Sequence, residues 1–231
     1  MNCKLEVVPN DKHLGCLVGN ISQKERISHG VNDFIGKVNM LKCHFGSLPP
    51  NVTYSLFKSH CMPLYASALW DLSHPAMEKF FIAWRKSIRS ILHLPLQTHS
   101  RLLHHICNDV HVKVQLYNRL LKFVKAAYHS GNSVTRLCAH LASQGSCSAV
   151  SNSISLICFD AHFSRNSLFE VDNETVISSI TSFVYDNSDE CNVTASIIRD
   201  LLHRKWNYNM QFDCNLSMSE INVALHTYCV E

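Results

Sequence analysis

Glycine is scarce: seven residues in a chain of 231, where average usage near 7% gives roughly 16. So few glycines leave few positions for positive-φ turns, which disfavours a β-sandwich or barrel and favours helices. The scarcity also removes any phosphate cradle. Gly15-Cys-Leu-Val-Gly19 has neither the Lys-Ser/Thr that closes a P-loop nor the G-x-G-x-x-G spacing. Paired C-x₂₋₄-C spacing, the usual mark of a zinc module, does not occur. Neither does a G-x-S-x-G nucleophile elbow. No apolar run approaches the ~18 residues of a membrane span, so a soluble chain with no membrane partner is expected.

What is present reads as a folded protein. Forty-six per cent of residues are hydrophobic and 17% charged, unlike the polar, charge-rich profile of disorder. Eleven cysteines are odd in number, irregularly spaced and preceded by no signal peptide. They read as reduced thiols, mostly small buried hydrophobes, in an intracellular protein of cytoplasm or nucleus rather than a secreted one. Net charge is +3, unevenly spread. From Met77 to Tyr128, nine basic residues (Lys79, Arg85, Lys86, Arg89, Arg101, Lys113, Arg119, Lys122, Lys125) face Glu78 and Asp109 alone. From Phe159 to Asp200, eight acidic residues face Arg165 and Arg199. The asymmetry predicts a basic body over residues 1–130 and an acidic helical region over 148–231, with Gly145-Ser-Cys-Ser148 as linker.

Local patterning predicts a mostly α fold that begins with a small β-hairpin and continues as a helical bundle with a further helical tail region. Leu5–Val8 and His13–Val18 flank Pro9-Asn10-Asp11-Lys12, which has turn chemistry. Ser22 and Glu25 have capping-box spacing, and Ile27, Val31, Phe34, Val38 and Leu41 follow at steps of 4, 3, 4 and 3. A second helix starts near Asn51, with Val52, Leu56, Phe57 and His60 inward, and breaks at Pro63 before Leu64–Trp70 continues. Ser73 and Pro75 open a third, with Met77, Phe80, Phe81, Trp84, Ile88 and Ile91 apolar, and Pro95 closes it. Thr98 caps a short helix through Ile106, and Asp109 caps one from Val110 to His129. Later helices are expected at Glu174–Val184, at Thr194–Trp206 and, after the capping box Ser217-Met-Ser-Glu220, up to Tyr228.

No catalytic constellation emerges. Fifteen histidines and eleven cysteines supply Cys–His pairs by chance, with no orienting acid. His104-His105-Ile-Cys107 with His111, and Cys214, His226 and Cys229, are donor-rich but lack module spacing. Two-metal chemistry needs carboxylates holding cations about 3.5–4 Å apart. The one adjacent acidic pair, Asp189-Glu190, lacks a hydrophobic flank and reads as a solvated loop. No metal or cofactor is expected. The basic face is the best signal: Arg85, Lys86 and Arg89 occupy neighbouring turns, with Arg101 and Lys113 further along. Clustered cations neutralise phosphates and release counterions, although most amphipathic helices also carry a charged outer face.

One ordered set of residues is more specific. His13-Leu14-Gly15, Ile35-Gly-Lys-Val-Asn39, Leu48-Pro-Pro-Asn-Val52, Leu56-Phe-Lys58, Met62-Pro-Leu-Tyr65 and Ala68-Leu-Trp70 precede the basic stretch Lys79–Ile91. This order resembles the segment after the catalytic core of reverse transcriptases from non-LTR retrotransposons, with its primer-grip strand and helical thumb. The resemblance covers about Asp11 to Cys107, weakens to Ser130 and is absent beyond.

It implies a thumb-like body that holds an RNA or DNA template–primer backbone, with Lys58, Arg85, Lys86, Arg89 and Arg101 as candidate contacts. Trp70 and Trp84 read as core residues rather than base-stacking platforms. The resemblance also implies that the family's catalytic aspartates, a strand carboxylate and an aromatic-x-Asp-Asp turn, lie outside this sequence, where neither motif occurs. The expected function is therefore a truncated reverse-transcriptase-like fragment, not an enzyme, with weak sequence-independent nucleic-acid binding. The alternative is a domesticated or non-functional helical module for a protein partner. On a primed RNA template with Mg²⁺ and deoxynucleotides, extension should not exceed background; template-dependent extension that persists through stringent purification would refute this.

Overall fold

The computed structural model describes residues 10–13, 16–184, 195–200 and 202. Over these residues the chain is mostly helical. Two four-residue strands, β1 (Asn10–His13) and β2 (Cys16–Gly19), pair antiparallel, with Asn10 opposite Gly19 and His13 opposite Cys16. This is not the expected hairpin: Asn10, Asp11 and Lys12, read as turn residues, are strand residues here. Leu5–Val8 lie outside the described residues.

The long helix α1 (Gln23–Phe45) starts where its chemistry says it should. Ser22 Oγ accepts the Glu25 amide at 3.2 Å, and the Glu25 carboxylate accepts the Ser22 amide at 3.1 Å. Two of the helix's orphan donors are thereby satisfied. Ile27, Val31, Phe34, Val38 and Leu41 are all buried, as the 3.6-residue period predicts. Helices α2 (Pro50–His60) and α3 (Met77–Ile91) pack against α1. Phe34 meets Phe57 and Phe80 edge-on, with ring centroids at 5.9 and 5.3 Å, and Trp70 meets Phe80 at 5.8 Å. Edge-to-face contacts of this kind add roughly 0.5–1.5 kcal/mol per pair beyond the area they bury.

The short α4 (Leu102–Cys107) leads to α5 (Val112–Tyr128). Four more helices follow: α6 (Ser133–Ser143), α7 (Ala149–Ala161), α8 (Arg165–Glu170) and α9 (Asn173–Val184). Helix α5 packs on α6 and α9, and α7 on α9. Residues 195–200 are helical, and Ala195, Ile198 and Leu202 join the core. One hydrophobic cluster runs from Ile27 to Leu202, across the boundary expected between residues 130 and 148. Polar ties cross it. Ser153 on α7 donates to the Trp70 carbonyl at 3.1 Å and accepts the Leu72 amide at 2.8 Å. Tyr117 donates to Asp160 at 2.6 Å, and Lys113 pairs with the same carboxylate at 2.8 Å.

Several local expectations are corrected. In α2 it is Thr53, not Val52 or His60, that points inward, its hydroxyl within reach of the carbonyls of Phe45, Leu48 and Pro49. The helix does not resume after Pro63; a 3₁₀ turn at Ser67–Leu69 follows Ala66, which is left-handed at φ 57°. Ser73 binds the Asp71 carboxylate, and the His74 ring, not Ser73, accepts the Ala76 amide ahead of α3. Thr98 is buried short of α4 rather than capping it. Helices α6, α7 and α8 were not singled out in the sequence; α6 and α7 flank residues 145–148, the segment expected to be a linker. Their caps are Asn132, Ser148 and Ser164, each accepting backbone amides. Among the described residues Cys43, Cys61, Cys107, Cys138, Cys147 and Cys158 are free, but Cys43, Cys138 and Cys147 are exposed, so burial is not their common property.

Gly30 is the tightest point of the α1 interface: a Cβ built there lies 2.2 Å from Trp70 Cζ2. By helix propensity alone, Gly→Ala in a helix interior stabilises by up to about 1 kcal/mol. Here the overlap reverses the sign. Gly30→Ala should destabilise by roughly 1–3 kcal/mol, the usual cost of overpacking. Urea unfolding followed by tryptophan fluorescence measures it, and an unchanged or raised midpoint would place Trp70 elsewhere.

Candidate nucleic-acid interface

Amphipathic α3 sets the geometry. Met77, Phe80, Ala83, Trp84, Ser87, Ile88 and Ile91 turn inward, leaving Glu78, Lys79, Ile82 and Lys86 exposed and Arg85 and Arg89 at the margins. The three cations that look equivalent in sequence have different surroundings. Arg85 pairs with Glu78 at 2.6 Å. The Arg89 guanidinium donates from Nε and Nη2 to the Thr98 carbonyl at 3.1 and 2.7 Å, and from Nη2 to Ser100 at 3.1 Å. Burial, and then the nearby charge of Arg85, lower its pKa. Arg89 thus tethers the loop between α3 and α4. Lys86 is exposed and faces no carboxylate among the described residues.

Lys58, exposed on α2, pairs with Asp109 at 2.9 Å. Tyr54 donates to the same Asp109 oxygen at 2.9 Å, and burial above all raises the tyrosine's pKa. Asp109 was expected to cap α5; it instead joins α2 to the α4–α5 turn. Arg101 is exposed at the start of α4. Trp70 and Trp84 are 2% and 3% exposed and belong to the core. Other cations of the basic stretch also face inward. Arg119 donates to the Met62 carbonyl at 2.6 Å, and Lys125 to that of Val171.

The cations at the surface between residues 50 and 129 are therefore Lys58, Lys79, Lys86, Arg101 and Lys122. Among the carboxylates of this stretch, Asp71 is buried, Asp109 half-buried, and only Glu78 is exposed. Lys79 and Lys122 counted toward the basic total but were not singled out. The signal for Lys79 was available, since it lies seven residues before Lys86 on one helix face.

Histidines gather behind this surface. His104 is buried, its ring 3.9 Å from that of His105 and 5.8 Å from that of His111. No group of histidine, cysteine and acidic residues suited to a metal ion exists among the described residues. No known protein family, curated protein or solved structure matches the chain.

His111 has a structural task that titrates. Its Nδ1 accepts the Lys113 amide at 3.1 Å, capping α5. A proton on that nitrogen would abolish the cap and place positive charge at a helix N-terminus. Burial, then the charges of Lys113 and Arg85, hold its pKa down to about 4. Burial, then His105 and His111, hold His104 at about 3. In the unfolded chain both titrate near pH 6.5. The stability associated with the neutral rings is therefore complete above about pH 6.5 and declines as pH falls toward their folded values. His111→Asn, which caps without titrating in this range, should flatten the slope of stability against pH between 6 and 4 by up to about 1.4 kcal/mol per pH unit. Denaturant midpoints measured across that range test it; an unaltered slope would exclude His111 as a contributor.

Proposed function

We propose that the chain is a reverse-transcriptase-like thumb fragment that holds nucleic-acid backbone weakly and without sequence preference, and that it does not polymerise. The observation carrying this reading is charge exposure. Over residues 50–129 five cations are exposed against one carboxylate, Glu78. Glu78 is paired with Arg85 and Lys58 with Asp109, so the excess positive charge lies on Lys79, Lys86, Arg101 and Lys122. Such a surface attracts phosphates over a Debye length of about 8–10 Å. The ordered motifs that resemble the non-LTR family support the same reading. Lys86, Lys79 and Arg101 are the contacts proposed first. Lys58 contacts phosphate by exchanging Asp109 for it. Arg85 contacts phosphate only by exchanging Glu78 for it, whereas Arg89 positions the loop that presents Arg101. The alternative, a helical interaction module, has the outward apolar residues of α6 in its favour.

Affinities of roughly 10⁻⁴–10⁻⁶ M at physiological salt are expected for duplex or hybrid probes. Changing Lys79, Lys86 and Arg101 together to Gln should leave the thermal midpoint within a few degrees. It should also flatten the slope of log affinity against log salt by up to about 2.7, at about 0.9 per lost contact on B-form DNA. Arg89→Gln should act differently, lowering stability by about 1–3 kcal/mol through its lost charged hydrogen bonds. Fluorescence anisotropy over a salt series reads the binding slope, and thermal and urea unfolding read the two stability effects. Equal, salt-insensitive binding by wild type and the triple variant would favour the interaction module.

A further inference from the structure

Helix α1 carries a second stripe beside its buried one. Arg26, His29, Gly30 and Asp33 follow at steps of three, one and three, which puts them on one face. On an isolated amphipathic helix such a face meets only water. Here Leu17 of β2 and the irregular segment after Pro63 come up to it, and together they line a cavity of about 30 Å³.

Two features single this cavity out. The Nε of Arg26 is buried and has no hydrogen-bond acceptor among the described residues, and the guanidinium forms no ion pair there either. Folded proteins seldom leave a buried donor in that state. Ala66, in the cavity wall, is left-handed at φ 57° and ψ 12°, a conformation that residues with a Cβ seldom hold and that recurs at ligand clamps. Asp33 is the carboxylate on the lining, and it is paired with Lys37 at 2.7 Å. The charge left uncompensated is that of Arg26.

Size and composition narrow the ligand. A volume of about 30 Å³ takes two water-sized groups, at roughly 10–15 Å³ each. The two oxygens of a carboxylate fit that room. They also match the side of a guanidinium, where Nε–H and one Nη–H lie parallel. A phosphate monoester is bulkier and brings about 1.5–2 negative charges to one guanidinium with Asp33 beside it. Leu17, Leu64 and the Trp70 ring offer apolar surface to a carbon skeleton. Tyr65 also lines the cavity and is 65% exposed, so that side opens to the surface.

We propose that this cavity binds a monocarboxylate group, with Arg26 as its anchor and His29, one turn on, as a second donor. The inference concerns α1 and not the basic face of α3, so its failure would leave the nucleic-acid reading untouched.

The carboxylate belongs either to a small free acid or to an acidic side chain of a peptide, and one titration separates the two. Full-length protein labelled with nitrogen-15 is followed through the Arg26 Nε–Hε signal, which is identified by its loss in Arg26→Lys. Sodium acetate, an end-blocked Ala-Glu-Ala peptide, sodium phosphate and sodium chloride are added separately at constant ionic strength. Acetate should shift the signal saturably, with a dissociation constant on the order of millimolar, and chloride should leave it in place. Saturation by the peptide as well identifies an acidic side chain as the ligand; saturation by acetate alone identifies a free acid. Arg26→Lys keeps the charge but loses the parallel donors. It should weaken acetate binding, read on the His29 ring signals, by roughly tenfold or more. Asp33→Asn, at an exposed position, removes a nearby negative charge and should tighten binding by roughly two- to fivefold. An Arg26 signal that acetate leaves unmoved, that chloride moves equally, or that phosphate saturates at lower concentration than acetate would overturn the proposal. So would an acetate affinity unchanged in either variant.

Discussion

The fold turns on the placement of Trp70. Its ring fills the notch left by Gly30 on α1 and stands edge-on to Phe80 of α3. Its carbonyl accepts from Ser153 of α7, which also takes the amide of Leu72. One irregular segment, the 3₁₀ turn and its exit, thus connects three helices with apolar contact on one side and buried hydrogen bonds on the other. A buried backbone group without such a partner costs about 1–3 kcal/mol, so Ser153 is as necessary to this turn as the aromatic rings. The basic surface depends on it in turn, because α3 reaches its orientation through the same Phe80.

Charge in this protein has two populations that composition does not distinguish. One consists of cations directed at main-chain carbonyls. Arg89 holds Thr98, Arg119 holds Met62, Lys125 holds Val171, and Arg165 holds Ala142, Ser143 and Ser151. Met62, Ala142, Ser143 and Val171 lie at or just beyond helix C-termini, where carbonyls lack intrahelical partners and cations are favoured. The other population is the set of cations at the surface, Lys58, Lys79, Lys86, Arg101 and Lys122. Net charge sums the two, although only the second produces a usable field outside the molecule.

What the sequence revealed followed from how local the determining physics was. The five inward positions of α1 are a matter of period and a reciprocal cap, both contained in twenty consecutive residues, and all five were legible. Thr53 was not, because its inward orientation depends on carbonyls of the preceding turn that only the folded chain brings within reach. Ser148 fell in the segment expected to be a linker, and Ser153 and Ser155 carried no expectation. In the fold Ser148 is a cap, Ser155 bonds back to the Ser151 carbonyl, and the one Ser153 hydroxyl proton is shared between the carbonyl of Ala149, four residues earlier, and that of Trp70, a use of the hydroxyl that competes with the helix in isolation and accompanies it here. At the candidate interface, the row Arg85-Lys86-Arg89 was visible. The division of labour within it was not, since Arg89 is claimed by a loop nine residues on and Arg85 by a glutamate seven residues back.

The bond between Ser153 and Trp70 also has a consequence for biosynthesis. The aromatic cluster of α1 to α3 is complete once α3 has emerged, yet the acceptor at Trp70 waits for a donor 83 residues further along the chain. At translation rates of about 5–20 residues per second that interval is roughly 4–17 s. During it, the segment that orders the first three helices has its carbonyl open to solvent, or to whatever chaperone attends the ribosome. The bond that closes the amino-terminal half is thus supplied last, when α7 arrives.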